Sequence, residues 1–114
     1  MKPQSAKAKG RNLQKYVVSR ILHYFPSLQT DDALSRSMGA GGEDIILSPA
    51  ARKLVPISIE CKSKKSYAVY KDYRQATANC GDVEPILIIK QNLDKPLAIM
   101  DLNYFLELLH ATTL

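Results

Sequence analysis

A chain of 114 residues, 46% hydrophobic and 24% charged, is expected to fold as one domain with its own core, and it is too short to add a separate regulatory module. The net charge of +5 is unevenly placed: residues 1–20 hold six Lys or Arg and no acid, which favours a polyanionic partner. No stretch approaches the roughly 20 apolar residues of a membrane span, so nucleic acid is preferred to a membrane surface.

Residues 1–10 mix Lys, Pro, Ser, Ala and Gly without periodicity and are expected to form a flexible basic arm ahead of a single domain over residues 11–114. The arm lacks the apolar centre of a signal peptide, which points to a reducing cytoplasm. From Asn12 to Phe25, the residues Leu13, Tyr16, Val17, Ile21 and Tyr24 share one helical face, with Arg11, Lys15 and Ser19 opposite; Pro26 ends the helix. Thr30-Asp31-Asp32 either caps a short helix through Ser37 or introduces an irregular strand. Gly39-Ala40-Gly41-Gly42 forces a loop with close backbone access, open to a phosphate. It lacks the Lys-Ser/Thr ending of a P-loop, so binding of a nucleoside triphosphate is not supported.

Asp44-Ile45-Ile46-Leu47 reads as a short strand, Ser48 to Val55 as a loop, and Pro56 to Lys62 as a second strand antiparallel to the first. Alternation along the second strand sends Ile57, Ile59 and Cys61 to the core, and Ser58, Glu60 and Lys62 to the other face. Cys61 and Cys80 are expected as two small buried hydrophobes rather than a disulfide. His23 and His110 stand alone, and no Cys/His group has zinc-ligand spacing.

Tyr67 to Asn79 is expected to be helical, with Val69, Tyr73, Ala76 and Cys80 on one stripe, Lys71 and Gln75 opposite, and Gly81 as its C-terminal cap. Pro85 to Ile89 is an almost continuous apolar run, as in a central strand. Pro96 to Met100 gives another strand. Leu102 to His110 forms a last helix, apolar on more than one face, which suits either a partner subunit or tight packing on the domain. The sum is an α/β sandwich around a mixed sheet.

The chemistry lies in Asp44 and, sixteen residues later, Glu60-Cys61-Lys62. Phosphodiester hydrolysis uses a hard cation to neutralise charge on the phosphate and to lower the pKa of the attacking water, and carboxylate oxygens hold such a cation. With Asp44 opening one strand and Glu60 closing the next, the two carboxylates meet at one sheet edge, and the Cys61 carbonyl can add a third oxygen. Lys62 shares the face of Glu60. Its amine can orient the water, stabilise the pentacovalent phosphate or accept a proton, and the sequence does not choose among these.

With these residues the chain resembles the PD-(D/E)XK nuclease superfamily, and within it the Holliday-junction-resolvase-like members, in which a Ser/Gly-rich loop precedes the acid. The loop here is Ser35-Arg36-Ser37-Met38-Gly39-Ala40-Gly41-Gly42-Glu43-Asp44, and the resemblance runs from about Gly10 to Lys90. It implies a restriction-endonuclease-like sandwich of αβββαββα-like order and an endonuclease that uses Mg²⁺ or Mn²⁺. The implied substrate is DNA, branched or duplex, cut by a homodimer with two sites. Asp44, Glu60 and Lys62 take the catalytic positions, with Asp44, Glu60 and the Cys61 carbonyl as metal ligands.

Arg11, Lys15, Arg36, Ser37, Lys64 and Lys65 are candidates for phosphate contact. Glu43 replaces the family's usual Pro and is either a further ligand or neutral in effect. Gln14 or Asn12 stands where many members carry a helical Glu, and Gln75 where some carry a functional Gln. The competing expectations are a basic nucleic-acid-binding accessory protein without turnover and a nuclease acting on flaps or nicks. A small nuclease of this kind suits a phage or mobile element.

Overall fold

The computed structural model describes residues 5–37 and 41–113. Helix α1 spans Ala6–Tyr24, followed by strands β1 (Ala33–Ser35) and β2 (Ile45–Leu47), helix α2 (Pro49–Leu54) and strand β3 (Ile57–Ser63). Helix α3 (Val69–Ala78), strands β4 (Glu84–Lys90) and β5 (Leu97–Ile99), and helix α4 (Leu102–Ala111) complete the order. The expected α/β architecture with a mixed sheet is present.

Helix α1 starts earlier than expected. Ser5 caps it by accepting a hydrogen bond from the Ala8 N–H at 3.1 Å, and Ala and Lys in the first turns are strong helix formers. Residues 6–10 therefore belong to the helix, not to an arm, and residues 1–4 lie outside the described region. Leu13 and Ile21 are buried as expected, whereas Tyr16 and Tyr24 of the same stripe are exposed.

The segment after Asp32 resolves as a strand. Strands β1 and β2 pair antiparallel, with Ala33 opposite Leu47, in a two-stranded sheet of their own. The expected β2–β3 hairpin does not form, because the segment between them contains α2. Ser48 caps that helix from its side chain to the Ala51 N–H, and Pro49 occupies its first turn, where a missing N–H costs nothing. Ser48 also donates to Asp32 Oδ1 at 2.6 Å, which ties the helix start to the entry of β1.

Strands β3, β4 and β5 form the second sheet, with β3 parallel to β4 and β5 antiparallel to it. A parallel pair needs a crossover, and α3 supplies it. Leu13, Ala33, Ile45, Leu47, Ala51, Val55, Ile59 and Cys61 make the core between α1, the two-stranded sheet and one face of β3. On β3 the opposite face is covered too: Ser58 and Glu60 are as buried as Ile59 and Cys61, because α3 packs against it. The expected stripe on α3 is corrected accordingly. Asp72 and Ala76 are its buried residues, while Val69 is exposed.

No residue of α4 is buried, and Leu102, Phe105, Leu106, Leu108 and Leu109 are all exposed. The tightly packed alternative for this helix therefore fails. Among the described residues, no helix is long and apolar enough to cross a membrane.

Candidate active site

Asp44 lies just before β2, between the two sheets. Its N–H donates to the Ile59 carbonyl at 2.9 Å, and its own carbonyl accepts from the Arg36 N–H at 2.7 Å. Its carboxylate accepts a hydrogen bond from the Cys61 N–H at 2.7 Å. One acid is thus hooked onto the edge of β3 by backbone and side chain together. In an extended strand the N–H and C=O of one residue point to the same edge, so the Cys61 carbonyl also faces the Asp44 side, away from β4.

Glu60, only 4% exposed, sits on the α3 face of the same strand. Asn79, the residue that ends α3, donates from its amide to Glu60 Oε2 at 3.4 Å, and Lys62 Nζ lies 3.8 Å from Glu60 Oε1. Both contacts are long, so they orient the carboxylate without neutralising it.

Burial pushes the pKa of Asp44 up, opposed by the Cys61 N–H and by the positive charges of Lys62 and Arg36. Burial also pushes Glu60 up, and the charge of Asp44 raises it further against the opposing effects of Asn79 and Lys62. Glu60 therefore feels the charge of Asp44 in poorly hydrated surroundings. Cys61 is held firmly as a thiol, first by burial and then by the same two carboxylates, so its backbone oxygen and not its sulfur is the available ligand atom.

Asp44, Glu60, Cys61 and Lys62 thus come together as the sequence suggests, though Glu60 is buried rather than on an open face. Other candidates fall elsewhere. The Glu43 carboxylate pairs with Arg52 of α2, and its carbonyl accepts from the Arg36 side chain. Glu43 is therefore part of a loop clamp, and the Arg36 guanidinium is engaged within the chain rather than held out for a phosphate. Lys64 is likewise engaged: its Nζ reaches both oxygens of buried Asp72, at 2.7 and 2.9 Å. Arg11, Lys15, Ser37, Lys65 and Gln75 are exposed, as a contact role requires, and Gln14 is 4% exposed on α1. Gly39 and Ala40 of the loop lie outside the described residues.

Three residues of the site's framework are not singled out by the sequence reading. Asn79 and Asp72 share the face of Ala76 at spacings of i, i+4 and i+7, a stripe visible in the sequence once polar residues are admitted to it. The third is Tyr67. Its hydroxyl donates to the Lys62 carbonyl at 2.8 Å and accepts from the N–H groups of Lys64 at 3.0 Å and Lys90 at 2.9 Å. It bridges β3 and β4 where their own ladder ends, immediately after Lys62. Nothing local in the sequence announces a tyrosine in that role.

Chemically, the arrangement offers two carboxylates of raised proton affinity, one backbone oxygen and one adjacent amine. Among the described residues no three His, Cys, Asp or Glu side chains converge, so the acidic group is a pair. Comparison with family models, with curated proteins and with solved structures gives no match for this chain.

Proposed function

We propose that this chain is a divalent-metal-dependent endonuclease of the PD-(D/E)XK type, hydrolysing DNA phosphodiester bonds on a restriction-endonuclease-like sandwich. The observation that carries this reading is the meeting of Asp44, Glu60 and Lys62 around the Cys61 backbone. A buried Glu60 and a half-buried Asp44, each with its proton affinity raised by burial and that of Glu60 raised further by the charge of Asp44, are costly to ionise unless a cation joins them. The residues fit a hard ion: oxygen donors only, two of them anionic, and a thiol kept neutral. When bound, Mg²⁺ or Mn²⁺ supplies charge neutralisation at the phosphate and acidifies water.

The chain's own residues have separate tasks. Asp44 and Glu60, together with the Cys61 carbonyl, would hold the ion. Asn79 and the Cys61 N–H fix the two carboxylates, so little reorganisation is left for the reaction. Lys62, partly exposed beside Glu60, would orient the attacking water, stabilise the charge that builds on the phosphate or accept a proton. Exposed Arg11, Lys15 and Lys65 contribute to a basic surface for the DNA backbone.

Structure selectivity of the resolvase kind, with a homodimer cutting two strands, is the substrate reading we favour. The exposed apolar α4 supports a second subunit. The test is incubation of the pure protein with four-way junction, flap, duplex and single-stranded DNA in Mg²⁺, Mn²⁺ or EDTA, beside Glu60→Ala and Lys62→Ala. The expected result is metal-dependent cutting, strongest on the junction and lost in both variants. Binding without cutting in either metal would instead favour the accessory-protein reading.

A further inference from the structure

A second, separate recess lies beside this site. A cavity of about 350 Å³ opens between α1 and the carboxyl ends of the two parallel strands. Ser63 and Lys90, the last residues of β3 and β4 and partners in register, form one wall together with Asn92 of the following turn. Lys9, Asn12 and Tyr16, from successive turns of α1, form the other.

The lining has a specific character. It carries two lysines and no acid, two amides on opposing walls, two hydroxyls, and the ring of a half-exposed tyrosine. Lys90 Nζ gives one hydrogen bond to the Gln91 carbonyl at 3.1 Å and keeps two N–H donors. Behind it, the Tyr67 hydroxyl holds the Lys90 backbone from the other side, so this wall is fixed. Two cations without a counter-acid suit a phosphate, amides suit the edge of a base, and an open aromatic ring suits its face. The volume falls in the range of small-molecule sites, at the size of a single nucleotide.

We propose that this cavity binds one nucleotide of the DNA strand next to the cleaved bond, with Lys9 and Lys90 on its phosphate, Asn12 and Asn92 on the base edge, and Tyr16 against the base or sugar. Ser63 follows Lys62 by one residue on β3, so cavity and candidate site lie on opposite faces at the end of that strand, and the bound DNA strand passes around that end. The inference rests on the nuclease reading for its substrate, but its geometry is independent of Asp44 and Glu60.

The test uses the whole chain in EDTA. Backbone amide NMR shifts are followed on adding 5′-dAMP, adenosine or inorganic phosphate, and binding of a labelled ten-nucleotide single strand is measured against salt. The expected result is that 5′-dAMP moves the amides of Asn12, Tyr16, Ser63 and Asn92, that phosphate moves fewer of them, and that adenosine at equal concentration moves none. The Lys9→Ala/Lys90→Met double variant should lose these shifts, and its log–log salt slope for the single strand should be shallower by about 0.7, the value for one neutralised phosphate. If that variant does not fold by circular dichroism, Lys9→Ala/Lys90→Gln takes its place. Unmoved amides with 5′-dAMP, or an unchanged salt slope in the folded double variant, overturn the proposal. Shifts with 5′-dAMP but no binding of the single strand would also overturn it, because the cavity would then serve a free nucleotide. A wild-type protein that shows the expected shifts yet cuts nothing in Mg²⁺ or Mn²⁺ keeps the cavity and removes the nuclease reading, and one that cuts while the double variant binds unchanged does the reverse.

Discussion

At Glu60, a carboxylate that is 4% exposed and next to a second acid has its pKa raised by burial first and by Asp44 second. The sign of the consequence follows from linkage. An acid with a higher pKa in the folded than in the unfolded state holds its proton longer when folded, so stability falls as pH climbs from the usual carboxylate value of 4.5 to the raised one, and stays lower above it. In metal-free buffer, Glu60→Gln is therefore expected to melt at a higher temperature than wild type at pH 8 and at the same temperature near pH 3. Mn²⁺ should raise the melting temperature of the wild type and leave that of the variant unmoved. Equal melting curves for the two proteins at pH 8 would contradict the shared acidic site. Asn79 lowers the pKa of Glu60 through its amide, so Asn79→Ala should shift the acid limb of the cleavage–pH profile to higher pH, whereas a merely structural loss would lower the profile without moving it. Lys62→Ala should reduce the cleavage rate by about 100-fold or more at saturating DNA, with binding of DNA in EDTA little changed.

Strand β3 is the element on which everything else is mounted. Its one edge carries Asp44, its α1 face the core residues Ile59 and Cys61, its α3 face Glu60, and its end the Tyr67 bridge to β4. Tyr67→Phe leaves the Lys90 N–H without its hydroxyl partner, while the Lys64 N–H keeps the Lys90 carbonyl at 3.1 Å. The expected cost is about 1–3 kcal/mol, read as a drop in thermal midpoint of roughly 4–8 °C per kcal/mol, with cleavage falling more steeply than stability. An unchanged midpoint would mean that the strand ends do not need the bridge. The alternation in Ile57-Ser58-Ile59-Glu60-Cys61-Lys62 made β3 and its two faces legible in the sequence, and with them the Asp44–Glu60–Lys62 grouping. Hydrophobic periodicity does not reveal a buried polar residue, nor a cap that overrides the pattern. Asp72 is buried on α3, and Asn79 is half-buried at its end, because Lys64 and Glu60 are there to receive them, and those partners lie outside the helix. Helix α2 formed because Ser48 and Pro49 start a helix within a segment short enough to pass as a loop, and β2 consequently turned back onto β1. The Glu43–Arg52 pair then follows from α2, so an error in one element carried over to a candidate ligand.

The whole molecule has one feature that its own chain does not satisfy. Leu102, Phe105, Leu106, Leu108 and Leu109 are exposed on α4, and beside it an apolar groove of about 680 Å³ runs between α1, β4 and β5, with Tyr104 and Leu108 on its rim. A homodimer that buries this surface is expected to elute from calibrated gel filtration at about twice the chain mass. Leu106→Glu should shift it to the monomer at micromolar concentration, with its circular dichroism retained. A wild-type monomer at that concentration would count against the two-site resolvase reading and leave a single-site nuclease in place. The basic N-terminal half adds charge on the scale of the molecule, so DNA affinity should fall steeply with salt. The central claim is that Asp44 and Glu60 gather a metal ion for phosphodiester hydrolysis, and its most direct measurement is the initial rate of cleavage of a labelled four-way junction in Mg²⁺ by wild type and by Glu60→Gln. The account predicts multiple-turnover cutting by the wild type that EDTA abolishes, and a rate at least about 100-fold lower for the variant. Equal rates for the two proteins, or no cutting by the wild type in Mg²⁺ or Mn²⁺, would contradict it.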